Sequence, residues 1–332
     1  MAQTETLEKV TRDTTFDIMK GVGILMVLVG HVWKELIPLT HQFIYTFHMP
    51  LFFIVAGYFS KSYEEVSDRR AAIKKYARRL LLPFLFVAVV EVLWMLFLGI
   101  TKHEWDSFYC ILLSYLYSGT VYWPTAWGEL YIGITWFLLS LFWAKVLFLY
   151  LCRWPRWRLA VSIGLAVAAL VVQSFLPYTP WCLLMGLTAL PFVTIGYEWR
   201  HLQLPVWGIV ILVAFWIASL FFSELDMYGY VWGIYPISFL GACGGTWLLY
   251  ALCRLCKRYL PTVGKVFAWL GVASLAIMCM HQVEISTHLG NRLRSYIGIE
   301  LSMTGLYLWR YALTLLLAAA CMYLPGIKKL FR

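Results

Sequence analysis

The chain has 332 residues, of which 62% are hydrophobic and only 13% charged, and its formal net charge is +10. Soluble domains carry roughly 25% charged residues, so this composition, with a mean hydropathy of +0.74, excludes an ordinary soluble fold and points to an all-α, multi-pass membrane protein. In such a protein the excess of Lys and Arg reads as loop charge on the cytoplasmic side, and no nucleic acid is expected as a partner.

Residues 1–15, MAQTETLEKVTRDTT, are polar and of mixed charge. They lack the layout of a cleaved leader and are expected to form a cytoplasmic tail. Apolar segments follow near 16–35, 43–60, 80–100, 134–152, 158–176, 180–198, 205–222, 235–253, 266–285 and 306–324. Each has about the length of a membrane-crossing helix. About ten transmembrane helices put both termini on one side. With that side inside, the inner segments hold Lys9, Arg12, Lys61, Arg69, Arg70, Lys74, Lys75, Arg78, Arg79, Arg153, Arg156, Arg158, Arg200, Arg254, Lys257, Arg258, Lys265, Lys328, Lys329 and Arg332. The outer segments hold only Lys34, Lys102, Arg292 and Arg294. The positive-inside rule therefore predicts a single membrane domain over 1–332 with N- and C-termini cytoplasmic.

Two connections stand out. Residues 61–79, KSYEEVSDRRAAIKKYARR, form a basic cytoplasmic loop with a short amphipathic helix, suited to anionic head groups. Residues 101–133 form an outer loop. Within it SFYCILLSYLYSG (107–119) is too short to span and reads as re-entrant or interfacial. With TVYWPTAWGELY it makes an aromatic-rich lid, which fits either an interfacial belt or sugar stacking. The eight cysteines lie mostly in apolar segments. Cys253 and Cys256 form a C-x-x-C without the second pair a zinc site needs, so small buried hydrophobes are the plain reading.

Ionisable side chains inside apolar segments are costly and are functional candidates by default. His31, His48 and His281 all fall in the outer third of their spans at 1.5 Å per residue. They serve interhelical hydrogen bonds, a three-histidine metal site or proton transfer; the expectation is a metal-free site. At the inner end Asp17 and Lys20 share a helix face, and Lys75, Arg78 and Arg79 open the third span. Positive-inside anchoring alone accounts for these cations, but they also suit phosphate. Lys20 and His31 are about 16 Å apart along one helix. That spacing suits a donor held by phosphate on one side and reacting deeper in the membrane, where neutral His31 takes a proton from an acceptor hydroxyl. Glu91 and Lys145 both fall near mid-bilayer and read as a structural ion pair, with a channel-lining role as the alternative.

FDIMKGVGILMVLVGH followed by FIYTFHMPLFFIVAGYF resembles the start of the acyltransferase 3 family, bacterial membrane enzymes that O-acylate surface glycans. Lys20-x10-His31 matches its basic-x10-His motif, and Lys75-Tyr-Ala-Arg78 before RLLLP matches its basic-x-x-Arg motif. TWFLLSLFWAKVLF, LPFVTIGYEWR and WLGVASLAIMCMHQ resemble later segments in the same order, and the compact length is similar to the fucose-acetylase-like branch. The resemblance implies a multi-pass protein of the bacterial inner membrane with ten core helices. It implies that His31 is the catalytic histidine and that Lys20, Lys75 and Arg78, with Arg79 and Asp17 beside them, serve the donor side. Apart from the resemblance, His48, His281 and Glu35 are the candidates to support catalysis or the acceptor side, Glu35 lying one turn beyond His31. The expected co-substrate is acetyl-CoA or another acyl-CoA, with no resident cofactor; the expected acceptor is a glycan or lipid-linked sugar. One departure is that WFLLSLFWAK lacks the acid many longer members carry mid-chain. A transporter of a polar solute is the competing class. It predicts inverted repeats, and none is evident in the sequence.

Overall fold

The computed structural model describes residues 13–30, 38–63, 65–119, 123–176, 179–202 and 204–331. The chain is almost entirely helical: α1 (Thr15–Gly30), α2 (Pro38–Tyr45), α3 (His48–Tyr58), α4 (Val66–Tyr76), α5 (Leu82–Lys102), α6 (Trp105–Tyr117), α7 (Trp136–Leu151), α8 (Arg158–Phe175), α9 (Leu183–Glu198), α10 (Val206–Phe222), α11 (Tyr235–Tyr259), α12 (Pro261–Val272), α13 (Ser274–Thr287), α14 (Leu289–Ile297) and α15 (Met303–Tyr323). The described sheet is one small hairpin, β1 (Trp123–Thr125) antiparallel to β2 (Gly128–Leu130). Among the described residues six helices are long and apolar enough to cross a membrane. A seventh crossing results if α12 and α13 form one broken span, and α10 is a shorter apolar helix.

Helices α1, α3, α7, α9 and α13 carry most of the buried side chains. Their interior includes Met19, Leu51, Phe53, Leu138, Phe148, Phe192 and Ile277. In α8, α10 and α15 the apolar residues instead face outward, as at Val171, Phe221 and Leu316, which suits helices in contact with lipid.

Small residues bring the central helices together. A Cβ on Gly57 would lie 2.0 Å from the Val193 carbonyl oxygen, and one on Gly196 would lie 2.0 Å from that of Ile54. Each glycine thus lets the other helix's backbone approach, the usual device where lipid supplies no hydrophobic drive. Gly21 and Gly271 do the same for α1 and α12. The Gly196→Ala protein is expected to lose about 1–3 kcal/mol through overpacking. The readout is a lower thermal midpoint of the detergent-solubilised chain, and an unchanged midpoint would show that α3 and α9 can separate freely.

Two spans expected to be continuous are broken. The 43–60 segment divides between α2 and α3 because the ring of Pro50 would meet the Thr46 carbonyl in an unbroken helix. There Thr46 turns its hydroxyl to the Phe43 carbonyl, at 2.8 Å, and accepts from Trp216 Nε1 at 3.1 Å. The 266–285 segment divides into α12 and α13, bent by 63°. Helix α12 stays against α1 at Gly271, whereas α13 turns away to pack on α5 and α15. A third irregularity joins α4 to α5, where Ala77–Leu81 forms a π-turn without interrupting the rod. Pro83 follows at the start of α5, and the wider turn accommodates its missing N–H and bulky ring.

Candidate functional site

The π-turn, α1, α3, α7 and the α10–α11 connection enclose a cavity of about 370 Å³. One end is basic, lined by Lys20, Lys61, Lys75 and Arg79, with Lys145 behind them. The other end is lined by Tyr45, His48, Asp226 and Tyr228. Between them the wall is apolar, with Ile24, Val27, Phe52, Val55, Phe137, Leu138 and Leu141. Residues far apart in sequence thus line one chamber whose two ends differ in chemistry.

At the basic end Lys20 Nζ lies 2.8 Å from Asp17 Oδ1, three residues away on α1. Asp17 is buried and Lys20 is not, so the carboxylate fixes the ammonium at the cavity wall. Lys75, Arg78 and Arg79 are all exposed; Lys75 and Arg79 line the cavity, whereas Arg78 does not. Lys145 does not pair with Glu91, contrary to the expected ion pair. Its Nζ donates to the Ser60 hydroxyl at 2.9 Å and the Ala56 carbonyl at 3.1 Å, at the carboxyl end of α3. It also sits 4.5 Å from the Tyr76 ring centroid. Glu91 is fully buried and accepts a hydrogen bond from Tyr115 at 2.9 Å. The helix dipole of α3, not a carboxylate, therefore compensates Lys145.

Lys20 admits a direct test. Lys20→Arg is expected to retain much more acyl transfer than Lys20→Met, because the charge is what phosphate needs. If the lysine served only to pair with Asp17, the double change Asp17→Asn with Lys20→Met would leave no unpaired charge and restore activity. Folded protein and transfer measured for all variants decide it, and full activity in the double variant would remove Lys20 from the site.

At the opposite end His48 is buried at the start of α3, and its Nδ1 lies 2.8 Å from the Ile44 carbonyl oxygen. A carbonyl only accepts, so Nδ1 carries a proton. Tyr45 stacks on His41 and lies 4.8 Å from the His48 ring. His281 is buried on α13, outside the cavity wall. Its ring lies 6.4 Å from that of Tyr311, whose hydroxyl donates to the Leu28 carbonyl at 2.9 Å. Gly30, the last described residue of α1, lies against Ile44 and Tyr45. The carboxyl end of α1 is thus held between the Tyr45–His48 side and the Tyr311–His281 side. His31 and Glu35 lie outside the described residues. The aromatic hairpin at 123–130 does not line the cavity. Among the described residues no group of three His, Cys, Asp or Glu is arranged to hold a metal.

Asp226 escaped the sequence reading. It lies in a turn between α10 and α11, where D-x-x-G looks like any surface loop. The signal was the burial pattern around it: Leu225 and Met227 are apolar and buried on either side. Burial pushes its carboxyl above the usual range, while backbone N–H groups of Gly229 and Tyr228 and the nearby His41 pull it back.

The acyltransferase domain family, acyltransferase 3, matches residues 13–326, from the foot of α1 to beyond α15. The chain belongs to the acyltransferase 3 family. Among curated proteins it is similar to the nodulation protein NolL of Mesorhizobium japonicum, 38% identical over 84 residues, which are 23% of this chain and 22% of that one. It is also similar to NolL of Sinorhizobium fredii, 37% identical over 90 residues, 24% of this chain and 25% of that one. The chain thus spans about a quarter or less of the curated relatives it matches. No solved structure is significantly similar. Family membership and the apolar helices make this a multi-pass membrane protein of the acyltransferase class.

Proposed function

We infer that this chain is an O-acyltransferase that moves an acyl group, expected to be acetyl, from cytoplasmic acyl-CoA to a hydroxyl of an extracytoplasmic or lipid-linked glycan. The observation that carries this reading is the cavity that joins a cationic end to a histidine end through an apolar middle. Lys20, Lys61, Lys75, Arg79 and Lys145 supply charge for the donor's phosphates. The apolar middle suits the donor's arm and acyl group.

The reaction asks little more. His31 removes the proton of the acceptor hydroxyl, and the oxygen attacks the thioester carbonyl. The carbon–sulfur bond breaks, and the departing thiolate takes the proton from the imidazolium. His48 supports the acceptor side.

Ten crossings are obtained if α1, α2–α3, α5, α7, α8, α9, α10, α11, α12–α13 and α15 each count once. Both termini then face the cytoplasm of a bacterial inner membrane, as the loop charges favour. A cysteine at position 70, exposed on α4, is expected to resist impermeant thiol reagents in intact cells and to react after lysis. Labelling in intact cells would overturn the donor-inside arrangement. The function itself is tested by mass spectrometry of surface glycans from cells with and without the gene. One acetyl mass gained per modified unit is expected, and identical glycans would overturn the reading.

A further inference from the structure

We propose that the Leu225–Tyr228 turn is the acceptor-side wall of the cavity, and that the Asp226 carboxylate there accepts a hydrogen bond from a hydroxyl of a polyhydroxylated acceptor. The assignment rests on the acyltransferase reading above and names a residue that recognises the acceptor.

The turn is built to hold its shape. Asp226 and Val231 exchange backbone hydrogen bonds, both at 2.8 Å. The Ser223 hydroxyl accepts from Ile234 N–H at 2.9 Å and meets the Ser238 hydroxyl at 2.6 Å, tying the turn to the start of α11. Leu225 and Met227 are buried as anchors. Asp226 lines the same cavity end as His48 and Tyr45.

Within the turn Asp226 acts only as an acceptor of backbone N–H groups. Asp226 Oδ1 accepts the Tyr228 N–H at 3.0 Å, a bond the Asn amide oxygen makes equally well. Partly burying a carboxylate is costly unless it gains partners. Among the described residues Asp226 has no Lys or Arg partner; backbone N–H groups of Gly229 and Tyr228 donate to it, and the nearby His41 favours its charged form. A carboxylate offers about four acceptor positions, more than the two backbone N–H groups occupy, and the residue lines the chamber. It is also the only carboxylate among the described residues of a wall whose other ionised groups are cations. A carboxylate attracts hydroxyl donors and repels phosphate. It therefore marks this end for a neutral, hydroxyl-rich acceptor and opposes entry of the donor's phosphates. A lone carboxylate is too few ligands for a bound divalent cation.

Asp226→Asn keeps the turn's acceptor oxygen and removes the charge. The test uses the full-length chain in detergent, radiolabelled acetyl-CoA, and alkali-deacylated surface glycan from the host cells as acceptor. In the variant the apparent KM for the glycan is expected to rise about tenfold or more, as loss of a charge-assisted hydrogen bond implies. The KM for acetyl-CoA and the thermal midpoint are expected to stay at wild-type values, and Asp226→Glu is expected to recover part of the loss. A glycan KM unchanged in Asp226→Asn overturns the assignment while leaving the acyltransferase reading in place. Equal changes in both KM values, or a lowered midpoint, make the residue structural and also overturn it. A wild-type chain that transfers no label overturns the acyltransferase reading, and the assignment with it.

Discussion

Acyl transfer by His31→Ala is expected to fall by about 10²–10⁴-fold, the usual contribution of a positioned general base, in protein that inserts and folds normally. The warrant is threefold. The residue stands eleven positions after Lys20 in the basic-x10-His pattern, the chain belongs to a family of acyltransferases, and α1 ends at Gly30 against Tyr45, a residue of the cavity wall. His48→Ala is expected to cost less, because a supporting ring perturbs acceptor placement without removing the base. Glycan acetylation measured at matched expression decides between them. Wild-type transfer by His31→Ala would end the base assignment, and a larger defect in His48→Ala would move it to α3.

Replacing Lys75 and Arg79 together by Gln is expected to raise the KM for acyl-CoA by about two orders of magnitude, at roughly tenfold or more for each cation withdrawn from a phosphate. Arg78→Gln is expected to change it little, since that side chain does not line the cavity. Steady-state kinetics with acetyl-CoA as the varied substrate separates the two. Equal effects at positions 78 and 79 would show that the cations act as a diffuse field. No effect at either would leave them with topological anchoring alone.

The contrast between Arg78 and Arg79 shows where sequence stops being sufficient. Apolar runs of about twenty residues locate membrane helices well, because lipid leaves the backbone no other partner. Each apolar run from 80–100 to 306–324 therefore has helix under it. What such runs do not reveal is azimuth. Glu91 and Lys145 share a depth by count, yet one turns to Tyr115 and the other to the end of α3. The π-turn at Ala77–Leu81 carries both arginines, and of the two only Arg79 lines the cavity. Neither break was anticipated: the one before α3 has a local cause in Pro50, which a count of apolar runs passes over, and the one at Ala273 involves no proline. The candidate residues on spans one and three were legible as candidates because charge is rare there. Asp226 was not, because an acid in a loop is ordinary until its neighbours are known to be buried.

A chamber with a cationic end and an end lined by His48 and Asp226 raises a problem of insulation. The membrane around this protein has to hold a potential worth about 2.3 kcal/mol per elementary charge for each 100 mV, and a continuous wet path would discharge it. Ile24, Val27, Phe52, Val55, Phe137, Leu138 and Leu141 make the wall between the two ends apolar. An apolar lining sheds water and resists ions where it is narrow, while a short acyl chain on a thioester arm is at home in it. On the proposed reading, the side chains that admit the donor's arm are then also the ones that keep the bilayer sealed. Polar substitutions there would act on proton leakage as much as on catalysis.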